Sequence, residues 1–103
     1  MNIKQYVGKS VQVTEEGYLI NSEDWTKEMA VEIAKTVNIE LTPKHFEVLE
    51  YLRNAVKAGE SLTLRRVGKS GIVDIKGLYD LFPGGPLKNA SLIAGISKPT
   101  SCV

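Results

Sequence analysis

Cysteine and histidine are almost missing from this 103-residue chain, which carries one of each, Cys102 and His45. A single cysteine forbids a disulfide within the chain. One sulfur and one imidazole cannot complete the four-ligand shell of a structural zinc site, so no metal and no cofactor are expected. Long apolar runs are missing too, and no window approaches the roughly 18 apolar residues that a membrane span needs. The stretch from Met1 to Lys9 alternates polar and apolar residues and lacks the apolar core of a signal peptide. A free thiol without an export signal places the chain, as an expectation, in the cytoplasm with no membrane partner. An excess of one charge is the last absence: 13 Lys and Arg against 12 Asp and Glu leave a net +1. What remains, 43% hydrophobic and 24% charged residues, suits one small domain over 1–103 that can bury a modest core.

The charge is unevenly placed. Residues 1–60 balance at −3 and residues 61–103 at +4, so a basic carboxy-terminal part sits on an acidic body. Such a surface is either simply solvated or docks an anion or an acidic partner.

Hydrophobic spacing predicts a mainly α fold. Ser10 to Ile20 reads as a hairpin, with Val11 and Val13 alternating, Glu15-Glu16-Gly17 as the turn and Tyr18-Leu19-Ile20 returning. Asn21 to Asp24 is a cluster of helix-start residues, and Trp25, Met29, Ile33 and Val37 recur every four residues behind it. A second helix is predicted with Thr42 as cap and Pro43 at its first position. Its apolar face is Phe46, Leu49, Leu52 and Val56, widened by Val48 and Ala55, and Lys57-Ala58-Gly59 closes it. Leu62 to Lys69 forms a short third helix, Asp74 caps a fourth that runs to Phe82, and Pro86 opens a fifth over Leu87 to Ala94. Gly95 to Val103 has no partner periodicity. The expectation is a small helical domain with an amino-terminal β-hairpin, a helix-turn-helix-like section at Leu62–Phe82, and a flexible carboxy-terminal arm at 95–103.

Most chemistry-bearing motifs dissolve on inspection. Gly68-Lys69-Ser70 echoes a phosphate loop, but position 63 is Thr63 where that motif needs glycine, and no buried strand leads into it. His45 has no second ligand at metal spacing and reads as structural or surface. The pairs Glu15-Glu16 and Glu23-Asp24 serve a turn and a helix start. Arg65, Arg66 and Lys69 crowd one short segment and could touch phosphates as a recognition helix. No Asn, Gln or aromatic interleaving marks a base-reading face, so direct nucleic-acid contact is not expected. The same cations can instead favour a thiolate or guide an acidic partner.

Cys102 is the informative residue. Seven residues separate it from Gly95, a reach of about 23–25 Å when extended. Pro99 opposes helix, and Ser97, Thr100 and Ser101 keep the arm polar. The neighbouring terminal carboxylate opposes thiolate formation, and Arg65, Lys69 and Lys98 are the cations that can offset it.

Two runs carry a resemblance. Leu78-Tyr79-Asp80-Leu81-Phe82-Pro83-Gly84-Gly85-Pro86, then Ile93-Ala94-Gly95-Ile96-Ser97-Lys98-Pro99-Thr100-Ser101-Cys102-Val103, closely resemble the DsrC/TusE family of sulfur-relay proteins, whose ending is of the type I-A-G-x-x-K-P-x-x-C-x. Gly17-Tyr18-Leu19, Asp24-Trp25, Leu41-Thr42, His45-Phe46 and Tyr51-Leu52-Arg53 look like family positions too. The resemblance implies a sulfur carrier. Cys102 would take sulfane sulfur as a persulfide and pass it on, with Arg65 and Lys69 matching family basic residues near the arm.

One position departs from part of the family. Members that act with dissimilatory sulfite reductase have a second cysteine eleven positions before the penultimate one, and Ser91 stands there. The resemblance therefore leans toward single-cysteine TusE-type members, which relay sulfur toward 2-thiouridine in tRNA. It implies a TusBCD- or DsrEFH-like donor and an acceptor such as an MnmA-like tRNA thiouridylase. Sulfite reductase is the alternative acceptor, should Ser91 replace a native cysteine. A regulator whose arm senses without transferring, and a helix-turn-helix DNA binder built on Arg65, Arg66 and Lys69, are the other readings.

Overall fold

A two-residue turn sets the register of the only strand pair among the described residues. Val7 (φ 54) and Gly8 (φ 74) both take left-handed backbone, the pairing a type I′ turn requires. The turn joins β1 (Asn2–Tyr6) to β2 (Lys9–Val13), antiparallel with Tyr6 opposite Lys9. This computed structural model describes residues 2–99. The hairpin thus lies earlier than the Ser10–Ile20 expected from sequence. The expected turn exists, with Thr14 N–H donating to Tyr18 O at 2.8 Å and Gly17 N–H to Thr14 O at 2.9 Å. It closes only an isolated bridge between Val13 and Leu19. β1 escaped notice because it has almost no apolar signature: Ile3 faces solvent at 68% exposure, and Tyr6 alone is buried.

The Asn21–Asp24 cluster caps a 3₁₀ turn, Ser22–Asp24, through Asn21 Oδ1, which accepts from Glu23 N–H at 3.1 Å. Helix α1 (Lys27–Thr36) starts later, and Thr26 Oγ1 accepts from Met29 N–H to cap it. The expected stripe is therefore trimmed at both ends: Met29 and Ile33 are buried, Trp25 precedes the helix, and Val37 is its carboxy cap. Asn38 (φ 58) then reverses the chain, with Ile39 N–H returning to Ala34 O at 2.9 Å.

Helix α2 (Pro43–Lys57) matches its expected bounds, with Thr42 as cap and Pro43 first. Its buried face is His45, Val48, Leu49, Leu52 and Ala55. Val56, expected in that face, is 42% exposed in the last turn of the helix. Helix α3 (Leu64–Gly68) is shorter than the expected Leu62–Lys69, since Thr63 Oγ1 caps it by accepting from Arg66 N–H. Asp74 caps α4 (Ile75–Leu81) through Oδ1, which accepts from Gly77 N–H at 2.7 Å. Pro86 opens α5 (Pro86–Ile93).

Helices α1, α2 and α4 all pack on α5, and α3 packs on α4, so α5 is the spine of the molecule. Met29, Ile33, Leu49, Leu52, Leu78, Phe82, Leu87 and Ile93 are the large side chains closed off at its centre. Burying each such side chain stabilises the fold by about 1.5–3 kcal/mol. No helix among the described residues is long and apolar enough to cross a membrane.

Candidate functional site

The last turn of a helix leaves carbonyls without intrahelical partners. At the end of α5 every such group near the exit is engaged. Gly95 (φ 70) reverses the backbone, its N–H donates to Leu92 O at 3.3 Å, and Ile96 N–H donates to Ser91 O at 3.2 Å. This paired return is the glycine-ended helix stop, with Ile96 folded back into the core at 3% exposure. Trp25 Nε1–H donates to Ile93 O at 2.7 Å, and Arg53 Nη1–H donates to Ala94 O at 2.8 Å. Arg53 Nη2–H reaches the other way, to Ser22 O at 3.0 Å, and the guanidinium lies 4.4 Å from the centre of the Trp25 ring. One side chain thus ties the 3₁₀ turn to the point where the arm leaves α5.

Glycine is required there twice over. Its φ is left-handed, and a Cβ at position 95 would overlap Trp25 Cδ1 and come within 2.9 Å of Leu19 Cδ1. Burial pushes the Arg53 guanidinium down from its ordinary value, and Glu23 pulls the other way. A cavity of about 140 Å³ lined by Phe46, Glu50, Asn54 and Lys57 borders the Trp25–Arg53 pair. Sequence reasoning placed Trp25 in the core and gave Arg53 no role of its own. The available signal was the single tryptophan beside a helix start and an arginine within an otherwise apolar helix segment.

Beyond Gly95 the arm lies on the body. Ser97, Lys98 and Pro99 share a cavity of about 170 Å³ with Val56 near the end of α2 and with Glu60, Ser61 and Leu62 of the α2–α3 connection. Lys98 Nζ donates to Glu16 Oε2 at 2.8 Å. Tyr18 is buried alongside, its hydroxyl donating to Lys88 O at 3.3 Å. Burial pushes that phenol up, Glu16 adds to the rise and Lys98 opposes it. Cys102, the expected reactive thiol, lies outside the described residues.

Arg65 and Lys69 line an open groove between α3 and α4 together with Gly68, Asp74, Ile75 and Lys76. Lys98 does not line it, so the three expected cations form one pair and one separate residue. Arg66 instead pairs with Glu60 at 3.4 Å, on the surface. Helix α3, which carries Arg65 and Arg66, has five residues.

Ser91 is wholly buried on α5, and its hydroxyl has no hydrogen-bond partner among the described residues. His45 is structural. Its Nε2–H donates to Leu81 O at 2.8 Å, and its Nδ1 accepts from Thr42 N–H at 3.1 Å. Those partners match the Nε2–H tautomer and close a capping box at the head of α2. The ring meets Phe82 edge-on at 5.1 Å between centroids.

The chain's relatives share this architecture. It is 38% identical to the sulfurtransferase TusE of Escherichia coli strain K12, over 95% of this chain and 97% of that protein. It is 35% identical to the dissimilatory-type sulfite reductase subunit gamma of Nitratidesulfovibrio vulgaris, over 95% of both chains. The solution structure of Allochromatium vinosum DsrC superposes with a TM-score of 0.81 at 37% identity, covering 99% of this chain and 98% of that one. Residues 5–103 match the family described as DsrC like protein, and the chain belongs to that family.

Proposed function

We propose that this protein is a cytoplasmic sulfur carrier whose working atom is Cys102 Sγ. The observation that carries the reading is a fixed exit for a cysteine-bearing arm, with Trp25 and Arg53 holding the two carbonyls that flank the departure from α5. Downstream, Ser97–Pro99 rest against Ser61 and Leu62. Three residues on from Pro99, at about 3.3–3.6 Å each, Cys102 has a reach of roughly 10 Å from that point. Arg65, Lys69 and Lys98 are the cations this reading assigns to favouring the thiolate.

The chemistry is thiol exchange with a sulfane sulfur as cargo. The Cys102 thiolate attacks the outer sulfur of a donor protein's persulfide. The donor's S–S bond breaks, the donor leaves as a thiolate, and Cys102 becomes the persulfide. The same exchange, run toward an acceptor thiol, returns Cys102 to the thiolate with no external oxidant or reductant. A TusBCD- or DsrEFH-like protein is the donor on this reading, and a tRNA thiouridylase the acceptor.

The Nitratidesulfovibrio vulgaris relative favours a second reading, partnership with a dissimilatory sulfite reductase. Ser91 has no thiol, so a cycle needing two cysteines within the chain is closed to this sequence. Incubation with a cysteine desulfurase and its relay proteins should add one sulfur, about 32 Da, by exchange onto the thiol. Intact-mass and peptide mapping should place it on Cys102, and Cys102→Ser should abolish it. An unchanged gain in that variant, or none in the wild type with a competent donor, would overturn the proposal.

A further inference from the structure

Helices α3 and α4 close on each other across a glycine. A Cβ at position 68 would stand 2.6 Å from Ile75 Cγ1, so the Ile75 side chain lies in the seam between them. The seam floors an open groove of about 660 Å³, walled by Arg65 of α3, Lys69 at its carboxy cap and Lys76 of α4. None of these three cations makes an ion pair among the described residues, whereas the neighbouring Arg66 is paired with Glu60. The one acid of the groove, Asp74, spends Oδ1 on Gly77 N–H at 2.7 Å. Asp80, the other acid near α4's exposed side, does not line it. Lys76 also stands in the first turn of α4, the end at which a helix favours acids over cations.

Beside the cations lies apolar surface. Ile75 and Tyr79, one turn apart on α4, are 45% and 44% exposed, while Leu78 and Phe82 turn inward. An apolar strip edged with unpaired cations has the make-up of a protein docking site, in which a dry centre holds the partner and a charged rim selects it. A nucleic-acid backbone would answer the charges and leave Ile75 and Tyr79 without an apolar partner. A lone oxyanion would do the same and leave most of the groove empty.

We propose that the α3–α4 groove docks an acidic segment of a partner protein, in which an apolar centre covers Ile75 and Tyr79 and flanking carboxylates meet Arg65, Lys69 and Lys76. The proposal needs neither Cys102 nor a persulfide, so it stands or falls separately from the carrier reading.

The probe is an end-capped peptide with leucine and phenylalanine at its centre and a pair of glutamates on each side, titrated into the isotope-labelled full chain. Amide shifts should concentrate on residues 65–69 and 75–79. Replacing the glutamates by glutamines, or the leucine and phenylalanine by glycines, should weaken binding about tenfold in each case. Arg65→Glu combined with Lys76→Glu should weaken it about tenfold as well. Both positions lie in the first turn of a helix, where an acid is well tolerated, so amides away from the groove should keep their shifts. The glutamine peptide needs no variant, so that comparison decides even where a variant fails to fold. Inorganic phosphate and a duplex RNA, titrated in the same way, should leave the Ile75 and Tyr79 amides unmoved.

Shifts centred elsewhere, or none at millimolar peptide, would overturn the proposal. Undiminished binding of the glutamine peptide, or undiminished binding by the folded double variant, would do the same. Tighter binding of phosphate or RNA at the same amides would give the groove to a phosphate-bearing ligand, and the proposal would fall.

Discussion

Ser91 shows how much a single hydroxyl can say. It sits on the spine helix among Leu87, Ala90, Ile93 and Ala94, fully buried, with no hydrogen-bond partner among the described residues. A buried polar group left unsatisfied costs about 1–3 kcal/mol. Ser91→Ala removes the hydroxyl and leaves the backbone untouched, so it should stabilise the fold by about 1 kcal/mol. For a domain of this size that is a rise of about 4–8 °C in Tm, readable by thermal melting. A fall in Tm would mean that the hydroxyl is engaged after all. The resemblance to sulfur-relay proteins singled out position 91 for its lack of a thiol. That it is a core position was also legible, because it lies four residues after Leu87 on a helix that is apolar there. His45 teaches the converse. Its isolation in the sequence excluded a metal site, but its hold on Leu81 O, 36 residues away, follows from the packing of α2 against the end of α4.

At the level of elements, the helices were legible and the connections were not. Caps made the difference. Thr42, Asp74 and Pro86 mark helix starts by chemistry that acts within three residues, and each stands where its sequence placed it. The hairpin was expected but placed too late, because its register depends on Val7 and Gly8 adopting left-handed backbone, and Val7 is a β-branched residue that seldom does so. Trp25 likewise continued a four-residue rhythm that the Thr26 cap interrupts. The arm's root was hidden for a different reason, since Trp25, Arg53 and Gly95 come from three distant parts of the chain. Gly95→Ala tests how tightly that root is set. The substitution forces a side chain into left-handed backbone and against the Trp25 ring. Denaturant unfolding should show a loss of about 2–3 kcal/mol, the sum of a backbone and a steric penalty.

Over the whole molecule, charge is sorted by position along the chain, and the fold keeps part of that sorting in space. Arg65, Lys69 and Lys76 line one open groove with a single acid, Asp74. Fields of this kind act on encounter with charged partners and are screened by salt over about 8–10 Å. On the carrier reading, the rate of sulfur transfer from a protein donor should fall as ionic strength rises. The Arg65→Glu and Lys69→Glu double variant should be slower at low salt and nearly insensitive to added salt. Loading from a small alkyl persulfide, an anion of a single charge, should respond far less to salt in both proteins. Stopped-flow transfer assays across a salt series would separate these outcomes, and a salt-independent wild-type rate would remove the groove from the reaction.

Helix α2 has a consequence for how this chain can vary in length. His45 and Arg53 stand eight residues apart on it, and each closes the carboxyl end of a different helix, α4 at Leu81 and α5 at Ala94. Their separation is about 12 Å of helix rise, and one added residue would turn one donor by about 100° relative to the other. Both carbonyls could not then be reached. An insertion or deletion between positions 45 and 53 should therefore be refused by the fold, while the polar stretch between α2 and α3 has no such two-ended duty and should accept one. The stretch from His45 to Arg53 acts as a fixed-length gauge between the short helix pair and the place where the arm begins.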